Sequence, residues 1–536
     1  MSIKVGDKKL CKRLVENGAD LESGFKSCLG CTPLLYSLIL DRLDIAKFLV
    51  RHGASITTRQ TCRKRTSRGY TPLHYAARYG SLSLLKCLLN GGALELVDIR
   101  SPVHPIHLAA AYGYTKCVEM ILDRSCYGMP LSNRVFRRPD LFPEIDKDTP
   151  GHGTSSEDLL INLRVDRSRI QWTWEMKPNV AWPSAYLSAT PLQIAASNGY
   201  TPLVASLLKR GALVDFVDDG GRTPLHFAAV AGHVATIKML LKFGANLHLP
   251  DQNLVTACMC AAEHNHLDAV RELLKAGADR QTQDINHRHA LHYAALHHSW
   301  SVFFYLLPAA TRYELAVEDT YGDTVVTHGL LCADPPQLSS LLNHGLPDQA
   351  CFSKNTNVLT TVVRNINLTT SVLERFLKRL PQCLLPHILG HQASMGGTPL
   401  YAASCFIVPH QADLICMLLD AGAALELEGG RHGTPLMGAC AAGRLSAVKV
   451  LVSKGAKLHY TRNGSTIRAL DKAKHFPEIK RWLLVGRYIE GPRLLMRDDT
   501  QSSTPRIFPR STGYVIATRI RKRVHEGFSL VRLTTI

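Results

Sequence analysis

One phrase recurs in this chain at a fixed interval. Residues 222–246 read RTPLHFAAVAGHVATIKMLLKFGAN, and steps of 33 from Thr223 land on Thr190, Thr256 and His289. The four segments open TPLQIAASNG, TPLHFAAVAG, TACMCAAEHN and HALHYAALHH, and each runs on to a Leu-Leu pair. The same spelling starts at Thr71 and His104, again 33 apart, and at Thr32, Thr398 and Thr434. Weaker copies start at Thr324 and Val358. A unit this short cannot bury its own apolar face, so the copies must stack on one another. The pattern predicts an all-α solenoid of helix–turn–helix units joined by polar finger loops.

Each letter has a physical task. Thr223 stands where a helix N-cap belongs, and Pro224 fills the first helical position, where its missing N–H costs nothing. Leu225, Ala228 and Ala229 share one helical face, and the small alanines let neighbouring units approach closely. Gly232 ends that helix. Ile237, Leu240 and Leu241 make the apolar stripe of a second helix, closed by Gly244. Thr256-Ala257 and His289-Ala290 depart from the Thr-Pro pair, so looser helix starts are expected there.

The spelling resembles the ankyrin repeat, whose pattern places G-x-TPLH-x-AA-x-x-GH before a Leu-Leu and a Gly-Ala-Asp or Gly-Ala-Asn. Gly221 to His233, with Leu240, Leu241, Gly244, Ala245 and Asn246, follow it almost throughout. About 11–12 repeats are expected, including degenerate ones and caps. The expected organisation is a partial N-terminal repeat at 1–26, with no first helix before Leu10, then repeats over 27–125. An insertion, partly disordered, follows at 126–188. Repeats resume over 189–462, degenerate at 324–397, before capping helices at 463–490 and a basic irregular tail at 491–536. The run IRALDKAKHFPEIKRWLLVGRY is similar to the C-terminal capping helices of fungal ankyrin proteins. The resemblance implies that His74, His107, His226 and His292 are architectural, bonding within and between repeats.

It also implies a non-catalytic scaffold that binds partner proteins through a concave groove lined by finger tips and first helices. Carried over by position, the tips are Asp219, Gln252 and Ile285, and the residues before the Thr-Pro site are Arg222, Val255 and Arg288. Helix positions facing the groove are Val230-Ala231, Glu263-His264 and Leu296-His297. In the N-terminal repeats the same places hold Arg68, Tyr70, Arg78, Tyr79, Ala111 and Tyr112. Arginine and tyrosine are frequent interface anchors, so an acidic protein segment is the expected partner there. A second reading is a nuclear nucleic-acid-associated regulator using the basic ends. A further alternative is the recognition part of a larger adaptor, such as a ubiquitin-ligase substrate receptor.

Composition narrows these classes. Hydrophobic residues make up 46% and charged residues 20%, the balance of a soluble globular protein, and no run approaches a membrane span. Fifteen cysteines without regular spacing fit reduced thiols, hence the cytoplasm or nucleus, and a monomer is expected. The net charge of +19 sits at the ends. Residues 1–100 hold 17 Lys/Arg against 8 Asp/Glu, and residues 462–536 hold 16 against 6. Metalloprotease, nucleophile-elbow and phosphate-loop spellings are absent. Cys28-Leu-Gly-Cys31 lacks a second ligand pair for zinc, and most of the crowded His287, His289, His292, His297 and His298 fall on repeat positions. No catalytic residue, cofactor or metal is therefore assigned. Trp172, Trp174 and Trp182 give the insertion a second reading as a partner-binding element.

Overall fold

The Thr-Pro pair sets where the inner helices begin. In the computed structural model Thr32, Thr71, Thr190, Thr223, Thr398 and Thr434 are extended, and each is followed by a helix that starts with proline. The structure describes residues 2–23, 31–56, 70–91, 93, 103–125, 160–164, 188–334, 336–337, 340–341, 357–365, 368–380, 383–392, 397–408, 410–462 and 465–486. Two compact units divide the chain, one ending at Arg280 and the other beginning at Gln281.

In the first unit the inner helices are Pro33–Ile39, Pro72–Arg78, Pro105–Ala111, Pro191–Ser197, Pro224–Val230 and Ala257–Glu263. The outer helices are Leu43–Arg51, Leu82–Asn90, Thr115–Ser125, Thr201–Lys209, Val234–Lys242 and Leu267–Lys275. Inner helices pack on inner and outer on outer, which makes two parallel rows. Leu225, Ala228, Ala229, Ile237 and Leu240 are buried, while Leu241 is half-buried. Helix 105–111 packs directly on helix 191–197, so the rows run on across the long interruption. One interrupting segment, 160–164, rejoins the stack: Leu160, Ile161 and Leu163 are buried. A short helix, Ser2–Val5, packs beside helix 33–39, which corrects the expectation that no helix precedes Leu10.

In the second unit the inner row is Ala290–Leu296, Val325–Cys332, Val358–Arg364, Pro399–Cys405 and Pro435–Ala442. The weak copies thus still supply inner helices. The second of them starts one residue earlier than its spelling suggests, because Asn357 is the N-cap and its Oδ1 accepts the Thr360 N–H at 2.7 Å. After Ser453 the chain forms one antiparallel hairpin, β1 (His459–Arg462) and β2 (Ser465–Arg468), which the helical reading did not contain. Helices Ala469–Lys472 and Pro477–Gly486 follow, burying Ala469, Ala473, Ile479 and Leu483 and exposing Lys474, Lys480 and Arg481. No helix among the described residues is long and apolar enough to cross a membrane.

Candidate interaction surface

His74, His107 and His226 are fixed at both ring nitrogens. His292 departs from the expected bridge: its Nδ1 accepts the His289 N–H at 3.4 Å, its buried Nε2 has no partner, and His289 Nε2 donates to the Glu314 carbonyl instead. His226 Nδ1 lies 3.2 Å from the Thr223 amide nitrogen and 2.9 Å from its hydroxyl, while Nε2 lies 3.0 Å from the Val255 carbonyl oxygen. A nitrogen that accepts a backbone N–H carries no proton, so the proton sits on Nε2 and is donated to the next repeat. His74 repeats this with Thr71 and Val103. His107 reaches the Leu163 carbonyl at 2.8 Å, so segment 160–164 supplies the oxygen that a finger gives elsewhere. Gln193 does the same work with an amide: its Oε1 accepts the Thr190 N–H, and its Nε2 donates to Phe216 and Arg222 carbonyls. Burial pushes the His226 pKa down and brings that of His107 to about 4.

Where the phrase lacks proline, helices 257–263 and 290–296 keep the full seven residues. The expected loosening is instead a lost bond: the buried Thr256 hydroxyl has no partner, because Met259 stands where His226 would. Thr434, followed by Met437, is left in the same state.

The fingers are held by a row of aspartates that sequence reading passed over as generic turn residues. Asp218 Oδ1 accepts the N–H groups of Gly220 and Arg222, and Oδ2 accepts the Arg222 guanidinium at 2.7 and 2.9 Å. Asp251 accepts from Asn253 and Val255, Asp284 from Asn286 and Arg288, and Asp319 from Tyr321 and Asp323. The signal was available: Asp218, Asp251 and Asp284 are also 33 apart.

This places the residues before the Thr-Pro site differently from the expected ladder. Arg222 clamps Asp218 and lies over the Phe227 ring, and Val255 is buried. Arg288 is buried against Asp319 at 3.0 Å, so its charge is spent inside the fold and not offered to a partner. Asp319, Asp323 and His328 bring three donor atoms close together. Both Asp319 oxygens, however, already accept: Oδ1 from the Tyr321 and Asp323 N–H groups, and Oδ2 from Arg288 and His328. Burial raises the Asp319 pKa, yet the His328 bond and its charge outweigh that and hold the carboxyl well below its usual range.

The tips and groove positions face outward to varying degrees. Asp219 and Gln252 are exposed, with Gln252 Nε2 donating to the Asp219 carbonyl at 2.7 Å. Ile285, in the second unit, is 53% exposed. Val230, Ala231 and Glu263 are half-buried, and burial raises the Glu263 pKa; His264 is exposed and stacks on His266. His297 is half-buried against Tyr293. In the N-terminal repeats Tyr70 stacks on His74 and meets the edge of Tyr75, and burial pushes its pKa to about 12. The Arg78 guanidinium lies 5.4 Å from the centre of the Tyr79 ring, and Tyr79 stacks on Tyr75. Tyr112 is 38% exposed. Arg68, Cys28, Trp172, Trp174, Trp182 and the basic tail lie outside the described residues.

Paired helices in two stacked rows, with histidine bridges between repeats and aspartate-stapled fingers, define a helical repeat solenoid. Family models agree: ankyrin repeats in three copies match residues 59–129 and 179–251, ankyrin repeats in many copies match 254–307, and a single ankyrin repeat matches 29–60. The chain carries ankyrin repeats over residues 29–129, 179–251 and 254–307. It is similar to Inversin of Mus musculus, 30% identical over 117 residues, or 22% of this chain and 10% of Inversin. It is also similar to an Arabidopsis thaliana protein named as a candidate E3 ubiquitin-protein ligase, 36% identical over 117 residues and 29% of that protein. A Fowlpox virus protein named as a candidate ankyrin repeat protein is 28% identical over 117 residues, 76% of its length. The matched stretch is thus a tenth of Inversin and under a third of the Arabidopsis protein.

Proposed function

We propose that this chain is a non-catalytic scaffold that binds partner proteins through the concave face of its first unit. The observation that carries this reading is the surface made by Arg78, Tyr79 and Tyr112 on successive inner helices. It consists of anchor-type side chains that stand at the outward positions of the repeat and not in its core. Asp219 and Gln252 are exposed at the finger tips, which supports reading them as part of the same surface. His74, His107 and His226, which would otherwise invite a catalytic reading, are committed at both nitrogens to holding repeats together. Arg78 supports an acidic segment as partner, although the Asp41 charge acts on the same Tyr79 and works against one. Ten described cysteines carry free thiols, which supports work in a reducing compartment such as the cytoplasm or nucleus. Similarity to a candidate ubiquitin ligase supports the adaptor form of this reading, with the groove choosing the protein to be modified.

The test is capture of partner proteins by the full chain and by Arg78→Ala/Tyr79→Ala. The double variant is expected to keep the wild-type melting temperature and lose most of its capture. Equal capture by the two proteins would sink the groove reading. If instead the captured material is nucleic acid, and affinity falls steeply with salt, the basic ends are the working surface.

A further inference from the structure

We propose that Tyr79, Tyr112, Tyr114 and Tyr200 form a docking row for an extended, proline-rich segment of a partner protein. This deepens the groove reading above and rests on it. The rings are linked from repeat to repeat through neighbouring glycines. Tyr114 lies against Gly80, the residue after Tyr79, so closely that a Cβ there would come within 2.6 Å of the ring. Tyr200 lies against Gly113 in the same way, at 2.7 Å, and Tyr112 stacks on Tyr114 with ring centres 6.1 Å apart. Four rings therefore follow one another across three repeats, backed by Tyr75 behind Tyr79. Tyr112 and Tyr114 are 38% and 36% exposed, and Tyr79 and Tyr200 are half-buried.

The next two repeats show what is unusual about these tyrosines. His233 and His266 occupy the place of Tyr114 and Tyr200, lying against Gly199 and Gly232. There the ring nitrogen is used internally: Nε2 donates to the Ser197 carbonyl at 3.1 Å and to the Val230 carbonyl at 3.0 Å. Among the described residues, by contrast, the hydroxyls of Tyr79, Tyr112, Tyr114 and Tyr200 take part in no hydrogen bond. The ladder position that closes the stack in one half of the unit is thus occupied in the other by Tyr114 and Tyr200, whose hydroxyls make no bond among the described residues.

Ring faces interspersed with hydroxyl donors suit one kind of backbone. A polyproline II segment has no internal hydrogen bonds, presents its carbonyl oxygens to the outside and, at proline, has no N–H to satisfy. Its flat rings pack on aromatic faces and its carbonyls accept from tyrosine hydroxyls. Charge favours the same occupant. Arg78 lies over Tyr79, and the Asp41 charge reaches both Tyr79 and Tyr114, so a strongly charged ligand of either sign meets one like charge. A nucleic acid strand could stack on the rings, but its phosphates would want more cation than this balance gives.

The experiment is fluorescence anisotropy of the full chain with labelled oligoproline, oligoglutamate and single-stranded oligothymidine at physiological salt. Oligoproline is expected to bind best. Tyr112→Ala should weaken it by about tenfold at an unchanged melting temperature. Tyr114→Phe, which keeps the ring against Gly80, should weaken it by a smaller factor through loss of the hydroxyl alone. Tighter binding of oligoglutamate or oligothymidine, or oligoproline binding that survives Tyr112→Ala, overturns the proposal. If oligoproline fails while protein capture still depends on Arg78 and Tyr79, the groove stands and only the partner chemistry is wrong.

Discussion

At the scale of single residues, the threonine and histidine of the phrase work as a pair, and the value of each depends on the other. Removing the Thr223 hydroxyl takes away a donor that His226 Nδ1 uses at 2.9 Å inside the core. Thr223→Val should therefore cost about 1 kcal/mol. The same change at Thr256 removes a buried hydroxyl that has no partner, so Thr256→Val should be neutral or stabilising. Urea unfolding midpoints of the two variants against wild type check this, and equal losses would contradict it. The pairing was legible in sequence because both letters are spelled out three residues apart. The structural status of the histidines was legible with it. What could not be read was which outward-facing charges were already in use. Arg222 and Arg288 look like free cations in the text, yet each closes on an aspartate that only the folded finger brings within reach.

At the scale of the element, the finger is built by an aspartate and a left-handed turn residue. Asp218 is buried and accepts from two backbone N–H groups and an arginine, whereas its neighbour Asp219 is exposed. Asp218→Ala should cost about 2 kcal/mol, because half-buried donors lose their acceptor, while Asp219→Ala should stay within about 0.5 kcal/mol. Thermal unfolding of the two variants separates them. The turn position shows a second asymmetry. Gly221 has φ +77°, but the next finger places Leu254 at φ +59° with its side chain 46% exposed. A branched side chain in that region costs about 1–2 kcal/mol, and so exposed a leucine recovers little of it by burial. Leu254→Gly should raise the melting temperature slightly, and a fall would show that the leucine packs better than its exposure implies. Helices were legible to the residue where Thr-Pro marks the start. The cap of the repeat spelled from Val358 lies one place earlier, at Asn357, because an asparagine cap without proline does not announce itself. The hairpin β1–β2 followed no repeat spelling, and the fingers read only as polar turns, since aspartate is common in any turn.

At the scale of the whole molecule, bridges of one kind recur along the stack, so one chemical change acts on many of them at once. An unfolded histidine takes up a proton near pH 6.5, whereas buried His107 does so only near 4, because burial disfavours the cation. Burial displaces His104, His226 and His292 in the same direction. Between those limits the unfolded chain binds more protons than the folded one. Stability is therefore complete above about pH 6.5 and falls as pH drops toward 4, by up to about 1.4 kcal/mol per pH unit for each such histidine. Asp319, whose folded pKa is held low, loses its contribution further into acid and in the same direction. The stack itself supplies the control. Gln193 makes the same bridge with a group that does not titrate, accepting from Thr190 and donating to two carbonyls of the following finger. His107→Gln/His226→Gln should therefore fold, melt near the wild-type temperature at pH 7.5, and lose less stability on the way to pH 4.5. Urea midpoints across that range measure the slope. A double variant as acid-sensitive as wild type would assign the acid response to carboxylates such as Asp319 and not to the histidine bridges.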